Sequence, residues 1–224
     1  MKALTIRQPH AYLAGVLRGD GWLNNDLCLR VADRDFAETF AAAIRDGYNC
    51  TAKVNVDERG YFLVRRHSAG RFEHLRTFKP GSPEEQAAWL RGYFDSEGNA
   101  QLTPRRANGA RSFSRRVSFY STNEETLRMA DGHLATFGLT TRRCTFKPSK
   151  GHLGTLPVHE LALRSSKQQY STFAELVGSS IERKRNTLAL IAASYCDDMS
   201  AVRREMQARG VATRIARRDA GGAY

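Results

Sequence analysis

Apolar residues change their period several times along the chain, and each change marks an element. From Pro9 to Leu17 nearly every position is apolar or small, which predicts a helix. Beyond Gly21, Trp22 to Val31 reads as a short strand pair. Phe36, Phe40 and Ile44 then recur at helical spacing behind Asp33, a residue suited to an N-cap. Cys50 to Val56 and Tyr61 to Arg66 form a hairpin around Asp57-Glu58-Arg59-Gly60, and a helix carrying Phe72 and Leu75 follows.

The same order then returns. Ser82-Pro83-Glu84-Glu85 combines an N-cap serine, a first-turn proline and a capping-box glutamate, opening a helix that runs to Glu97. Asn99 to Tyr120 is a long hairpin, and Thr122-Asn123-Glu124-Glu125 is a capping box for a helix over Leu127 and Leu134. Thr141 to Leu163 makes a second hairpin, Tyr170 to Leu176 a further helix, and Ser179-Ser180-Ile181-Glu182 the box of a last one over Ile181 to Ser194. Both stretches read αββαββα, which places the chain in the α+β class. Pro and Gly cluster between Lys79 and Ser82, so the division falls into a first half, 1–79, a second half, 80–195, and an Arg-rich extension, 196–224. The extension predicts a helix from Met199 to Arg209, a break at Gly210 and a solvated tail.

The two halves are related residue by residue. Setting residue n beside residue n+77 puts Ala11, Leu13, Gly15 and Gly21 on Ala88, Leu90, Gly92 and Gly98. The same shift puts Tyr12 on Trp89, Leu17 on Phe94 and Asp20 on Glu97. Ala11-Gly15-Gly19 and Ala88-Gly92-Ser96 each form a ridge almost without side chain along one helix face, which lets another backbone approach closely. The simplest partner for the first ridge is the second.

Composition adds a partner. Of 224 residues 41% are hydrophobic and 26% charged, the balance of a soluble globular protein, and 35 Lys and Arg against 23 Asp and Glu leave a net charge of +12. That excess calls for a polyanion, of which nucleic acid is the commonest. No apolar run is long enough for a membrane span or a signal peptide, so neither membrane nor export is expected and the cytoplasm is the default compartment. Cys28, Cys50, Cys144 and Cys196 are too scattered for a zinc or redox motif and read as reduced, structural residues.

Asp20 and Glu97 stand out because each is expected at the C-terminal end of a helix, where an acid is disfavoured by roughly 0.3–1 kcal/mol. If the ridges pack side by side, both acids arrive at the same end of the pair. They would then repel unless a cation lies between them, and an all-oxygen site of this kind suits Mg²⁺. A single such acid before a glycine would be an ordinary turn signal; two in register favour a metal site.

At these residues the sequence resembles a known family. Leu13-Ala14-Gly15-Val16-Leu17-Arg18-Gly19-Asp20-Gly21 is similar to the LAGLIDADG signature, and Leu90-Arg91-Gly92-Tyr93-Phe94-Asp95-Ser96-Glu97-Gly98 is a looser second copy. Arg18, Asp95 and Arg91 depart from the pattern. Two motifs in one chain imply the single-chain LAGLIDADG homing endonucleases: two pseudo-symmetric halves packed through paired motif helices, with saddle-shaped antiparallel sheets lying in the DNA major groove. The implied function is site-specific double-strand DNA hydrolysis by a monomer, on a long and imperfectly palindromic target; Ala and Arg richness separately suggests a bacterial or phage genome. Asp20 and Glu97 would bind Mg²⁺, with Mn²⁺ substituting, and the carbonyls of Gly19 and Ser96 would add ligands. A basic residue near the scissile phosphate is also implied. Aligning Leu63-Val64-Arg65-Arg66 with Leu161-Ala162-Leu163-Arg164 makes Arg66 and Arg164 symmetric candidates, with Lys184 a third.

The strands supply a candidate reading surface. Thr51, Lys53 and Asn55 alternate with Ala52 and Val54, and Thr141, Arg143, Thr145 and Lys147 alternate with Cys144 and Phe146. Asn24 and Arg30 belong to the first strand pair, and the long hairpin adds Arg105, Arg106, Arg111, Arg115 and Arg116 with no acid between Glu97 and Glu124. Two other functions fit the same residues. One is an RNA maturase, since charge alone does not separate RNA from DNA. The other is an inert DNA-binding regulator of the same fold, against which the retention of both acids argues.

Overall fold

The computed structural model describes residues 7–107, 110–147, 156–195 and 200–219; for residues 106, 107, 110, 111 and 211–219 only the backbone is described. The first half runs α1 (Arg7–Val16), β1 (Gly21–Leu23), β2 (Asp26–Val31), α2 (Arg34–Tyr48), β3 (Val54–Val56) and β4 (Phe62–His67). The second runs α3 (Pro83–Glu97), β5 (Gly98–Ala107), β6 (Ala110–Ser121), α4 (Glu124–Thr136), β7 (Thr141–Phe146), β8 (Val158–Leu163), α5 (Lys167–Leu176) and α6 (Glu182–Ala193), followed by α7 (Ser200–Asp219). Each half holds one four-stranded antiparallel sheet, in the orders β1-β2-β4-β3 and β5-β6-β8-β7. Helices α2 and α4 cover one face of their own sheets.

The halves meet along α1 and α3 as the small-residue ridges predict. A Cβ placed on Gly15 would lie 2.1 Å from the carbonyl oxygen of Trp89, and one on Gly92 would lie 2.2 Å from that of Tyr12. Tyr12 and Trp89 are themselves repeat partners, so the two contacts are images of each other across a pseudo-twofold axis. The backbones touch there because neither glycine has a side chain to hold them apart. Tyr93, Phe94, Phe119 and Phe173, all fully buried, carry the core from this seam into the second half.

Register fixes the equivalences between the sheets. Gly21 pairs with Leu29 and Gly98 with Phe119, and opposite these on the next strand lie Val64 and Leu161. All four apolar residues are fully buried. Arg66 is therefore the counterpart of Leu163, and Arg164 that of His67; the symmetry expected between Arg66 and Arg164 is one residue out.

Several local expectations are corrected. The α-helical pairing of α1 ends at Val16, and tightened bonds from Arg18 N to Gly15 O (3.1 Å) and Gly19 N to Val16 O (3.0 Å) carry the turn on to Asp20. The helix expected around Phe72 and Leu75 is two 3-10 turns, Ala69–Arg71 and Glu73–Thr77, because a three-residue apolar spacing suits that tighter winding equally well. Asn123, not Thr122, caps α4, accepting from Glu125 N and Thr126 N. Helix α7 continues through Gly210, where a break was expected.

Candidate active site at the motif-helix ends

Chain geometry brings Asp20 and Glu97 together. A Cβ on Gly19 would meet the Ser96 Cβ at 2.5 Å, the Glu97 Cγ at 2.7 Å and the Glu97 Oε1 at 3.1 Å, so the second acid lies against the backbone that carries the first. Neither carboxylate is hydrogen-bonded or ion-paired among the described residues. Asp20 is exposed, yet partial desolvation by its surroundings pushes its carboxyl above the ordinary value, with Lys184 opposing the shift and Asp33 adding to it. Burial likewise raises Glu97, reinforced by Asp20 and opposed by Lys184. Two unpartnered carboxylates that repel each other are hard-oxygen donors, a chemistry that suits Mg²⁺ or Mn²⁺. Asp20 and Glu97 would hold the ion, with the carbonyls of Gly19 and Ser96 beside them.

The motif's other acid has a different task. Asp95 is 2% exposed and accepts from Tyr12 Oη (3.0 Å), Ser179 Oγ (2.5 Å), Ser180 N (3.0 Å) and Ser180 Oγ (2.6 Å). These bonds tie α3 to α1 and to the segment before α6, which is why Ser179 and Ser180 do not cap α6 as expected. The N-terminus of α6 is pinned instead by the first half. Arg183 holds Asp33 through two bonds of 2.8 and 2.7 Å, and Glu182 N donates to Asp35. Asp33 therefore makes no side-chain cap for α2.

Lys184, also expected near the scissile phosphate, is buried at the end of the second motif helix. It is 5% exposed, and its Nζ donates to the carbonyls of Phe94 (2.7 Å) and Asp95 (2.8 Å). Helix α3 has no basic residue in its last turn. Lys184 supplies that charge from another helix, where the macrodipole favours a cation. Burial lowers its pKa to about 8. Arg66 shares the helix-covered face of β4 with Val64, while Arg164 is exposed just beyond β8.

The sheet faces opposite the helices are open. On the first sheet this outer face carries Trp22, Cys28, Arg30, Asn55, Arg65 and His67. Arg30 is braced by Asp57 (2.5 Å) and lies over the Tyr61 ring at 4.4 Å. On the second it carries Gln101, Thr103, Arg105, Arg116, Arg142, Cys144 and Phe146. Asn24, Thr51, Lys53 and Lys147 are exposed just outside the strands; the side chains of Arg106 and Arg111 lie outside the described residues.

Four expected contacts face the other way. Asp131 of α4 accepts from Thr141 Oγ1 (2.6 Å) and Arg143 Nη2 (2.7 Å), which puts both, and Thr145 in the same alternation, on the helix side of β7. Cys144 and Phe146 look like core positions in the sequence, but β7 is an edge strand and Phe146 is 47% exposed. Arg115 shares the face of Val117. Its Nε and Nη2 donate to Ser194 at 2.6 Å each, and its guanidinium lies 4.1 Å from the Tyr195 ring centroid. Arg65 and Arg142 are the outer-face arginines that the sequence reading missed, and the strand register is the signal that finds them.

Two pseudo-symmetric halves that share a glycine seam and end it in paired acids define a LAGLIDADG fold. Residues 84–178 match the family model described as the LAGLIDADG-like domain, and this chain is a LAGLIDADG-fold protein. Among solved structures it is similar to mesophilic variants of the homing endonuclease I-DmoI, with a TM-score of 0.59 and 16% identity over 83% of this chain and 99% of that one. I-DmoI in complex with DNA and Ca gives 0.58 and 15% over the same shares. Full-length DUF199/WhiA from Thermatoga maritima gives 0.58 and 16% over 93% of this chain and 68% of that one. At these identities the likeness is one of fold. No curated protein matches the chain in sequence.

Proposed function

We propose that this protein is a site-specific double-strand DNA endonuclease that works as a monomer with a divalent cation. The observation that carries the reading is the pair of unpartnered carboxylates, Asp20 and Glu97, at the touching ends of the motif helices. A duplex lying along both open sheet faces would pass its backbone over that point, with one strand offered to each half. Structures of I-DmoI solved with target DNA and Mg, Mn or Ca are consistent with such a partner and such ions.

In this mechanism the outer faces bind and orient the duplex, and Asp20 and Glu97 at the paired helix ends would hold the cation. When bound there, a divalent ion would supply activation of the attacking water and stabilisation of the leaving oxygen. Asp20 and Glu97 anchor it as carboxylates, and Lys184 lowers the cost of placing two negative groups at helix C-termini. The inert-regulator reading gives no reason for two mutually repelling acids to stand there without partners.

The test incubates the protein with a library of circular duplexes carrying randomised inserts, in Mg²⁺, Mn²⁺, Ca²⁺ or EDTA. A subset should be linearised in Mg²⁺ or Mn²⁺ and bound without efficient cutting in Ca²⁺. Asp20→Asn and Glu97→Gln should each slow cleavage by about a hundredfold or more while binding survives. Full cleavage by either variant, or by wild type in EDTA, overturns the proposal.

A further inference from the structure

Two arginines of the outer faces are held by buried carboxylates. In the first sheet Arg65 points Nε and Nη2 at Asp26 Oδ2, both at 2.5 Å, and His67 Nδ1 holds the other oxygen at 2.7 Å. In the second, Arg116 Nε lies 2.5 Å from Glu160 Oε1 and its Nη2 bonds Oε2, while Tyr120 Oη donates to Oε1 at 3.0 Å. The carboxylate side chains are buried, 8% and 1% exposed, while the arginine side chains are 57% and 33% exposed. Burial alone would raise both acids, yet the bonds from their arginines hold both below the ordinary range, so they stay ionised.

We propose that Arg65 and Arg116 each read one guanine through the major groove, with Asp26 and Glu160 as the positioning residues that aim them. The proposal deepens the DNA-binding reading and rests on it. In both arginines the Nε–Nη2 edge is spent on the carboxylate. What faces outward is the Nη1–Nη2 fork, whose two donors match guanine N7 and O6. The carboxylate also cancels the net charge of the unit, so a phosphate gains little from it and a base edge loses nothing. Arg105 is the contrast: it is exposed on the same face with no carboxylate partner among the described residues, which is the arrangement of a phosphate contact.

The two units are not related by the pseudo-twofold. Asp26 lies three residues before Leu29 and Arg116 three before Phe119, so an acid in one half stands where an arginine stands in the other. Arg65 has Ala162 as its counterpart and Glu160 has Leu63. The two guanines therefore fall at unequal distances from the centre of the target, and a perfect palindrome would mispair one of them.

The test enriches binding sites from a randomised duplex library in Ca²⁺ and compares base preferences. Arg65→Lys and Arg116→Lys keep the charge but lose the fork. Each should lose guanine preference at one position, by about tenfold or more, and leave the remaining positions unchanged. Asp26→Asn and Glu160→Gln should loosen the same positions as their arginines. If a carboxylate variant fails to fold by thermal melt, the lysine variant on that pair decides. An unchanged preference profile in both lysine variants overturns the proposal. So does a uniform loss of affinity in Arg65→Ala and Arg116→Ala with the salt slope lower by about one, which marks a phosphate contact. If wild type enriches no sequence, the DNA-binding reading itself fails and takes this proposal with it.

Discussion

Replacing Gly15 by alanine adds one methyl group at the tightest point of the molecule. That carbon would stand 2.1 Å from the Trp89 carbonyl oxygen and 3.0 Å from both Trp89 C and Tyr93 N, all of them backbone atoms that cannot rotate away. Ordinary contact begins near 3.4 Å, so α1 must withdraw from α3 by roughly 1.3 Å along that line. Overpacking costs about 1–3 kcal/mol where side chains can adjust, and with backbone on both sides the upper end applies. For a chain of this size about 3 kcal/mol lowers the melting temperature by roughly 6–12 °C. Gly92→Ala, the symmetric change, should cost the same. Because one outward movement relieves both clashes, the double variant should lose clearly less than the sum. Gly132→Ala is the control. It lies in α4 with nothing within 4 Å of its Cβ position, and the gain in helix propensity, about 1 kcal/mol, should raise the melting temperature. Thermal and urea melts followed by circular dichroism read all four. Gly15→Ala melting at or above wild type, or Gly132→Ala falling as far as Gly15→Ala, would refute the argument.

Two further outcomes follow from the site. A carboxyl raised by burial favours the folded state at acid pH, and that contribution is lost as pH rises through its folded value. At neutral pH without metal, Asp20 and Glu97 therefore oppose folding. Asp20→Asn and Glu97→Gln should each melt higher than wild type in EDTA, whereas Mg²⁺ should stabilise wild type alone; variants that melt lower would contradict the charge assignment. Arg115→Ala removes the bonds to Ser194 and the stacking on Tyr195, so it should destabilise the fold by about 1–3 kcal/mol yet leave the salt dependence of DNA binding unchanged. A lowered salt slope in a variant that melts like wild type would return Arg115 to the DNA surface.

What the sequence discloses and what it conceals follow from the range of the interactions. The repeat of Ala11, Gly15 and Asp20 in Ala88, Gly92 and Glu97 is legible because close backbone approach tolerates only the smallest residues. That constraint leaves a mark in every copy. The strand pairs are legible for the same local reason. The orientation of β7 is not. Its alternate residues are Thr141, Arg143 and Thr145 on one side and Arg142, Cys144 and Phe146 on the other, and only the register with β8 and the carboxylate of Asp131 decide between them. Arg115 and Arg116 are neighbours of identical chemistry with opposite surroundings. Lys184 and Arg183 meet partners roughly 90 and 150 residues away, and nothing in their own neighbourhood records the pairing.

Helix α6 has a consequence for the history of the chain. Its first turn is fastened to Asp33 and Asp35 of one half, while its lysine closes the motif helix of the other. A protein assembled from two copies of a single ancestral unit would carry this clasp twice and remain separable into equals. Here the clasp exists once. The first half ends at its 3-10 turns with no helix of this kind, so it depends on its sister for a part it does not encode. The single clasp makes the two alike halves unequal, because they cannot trade places around it.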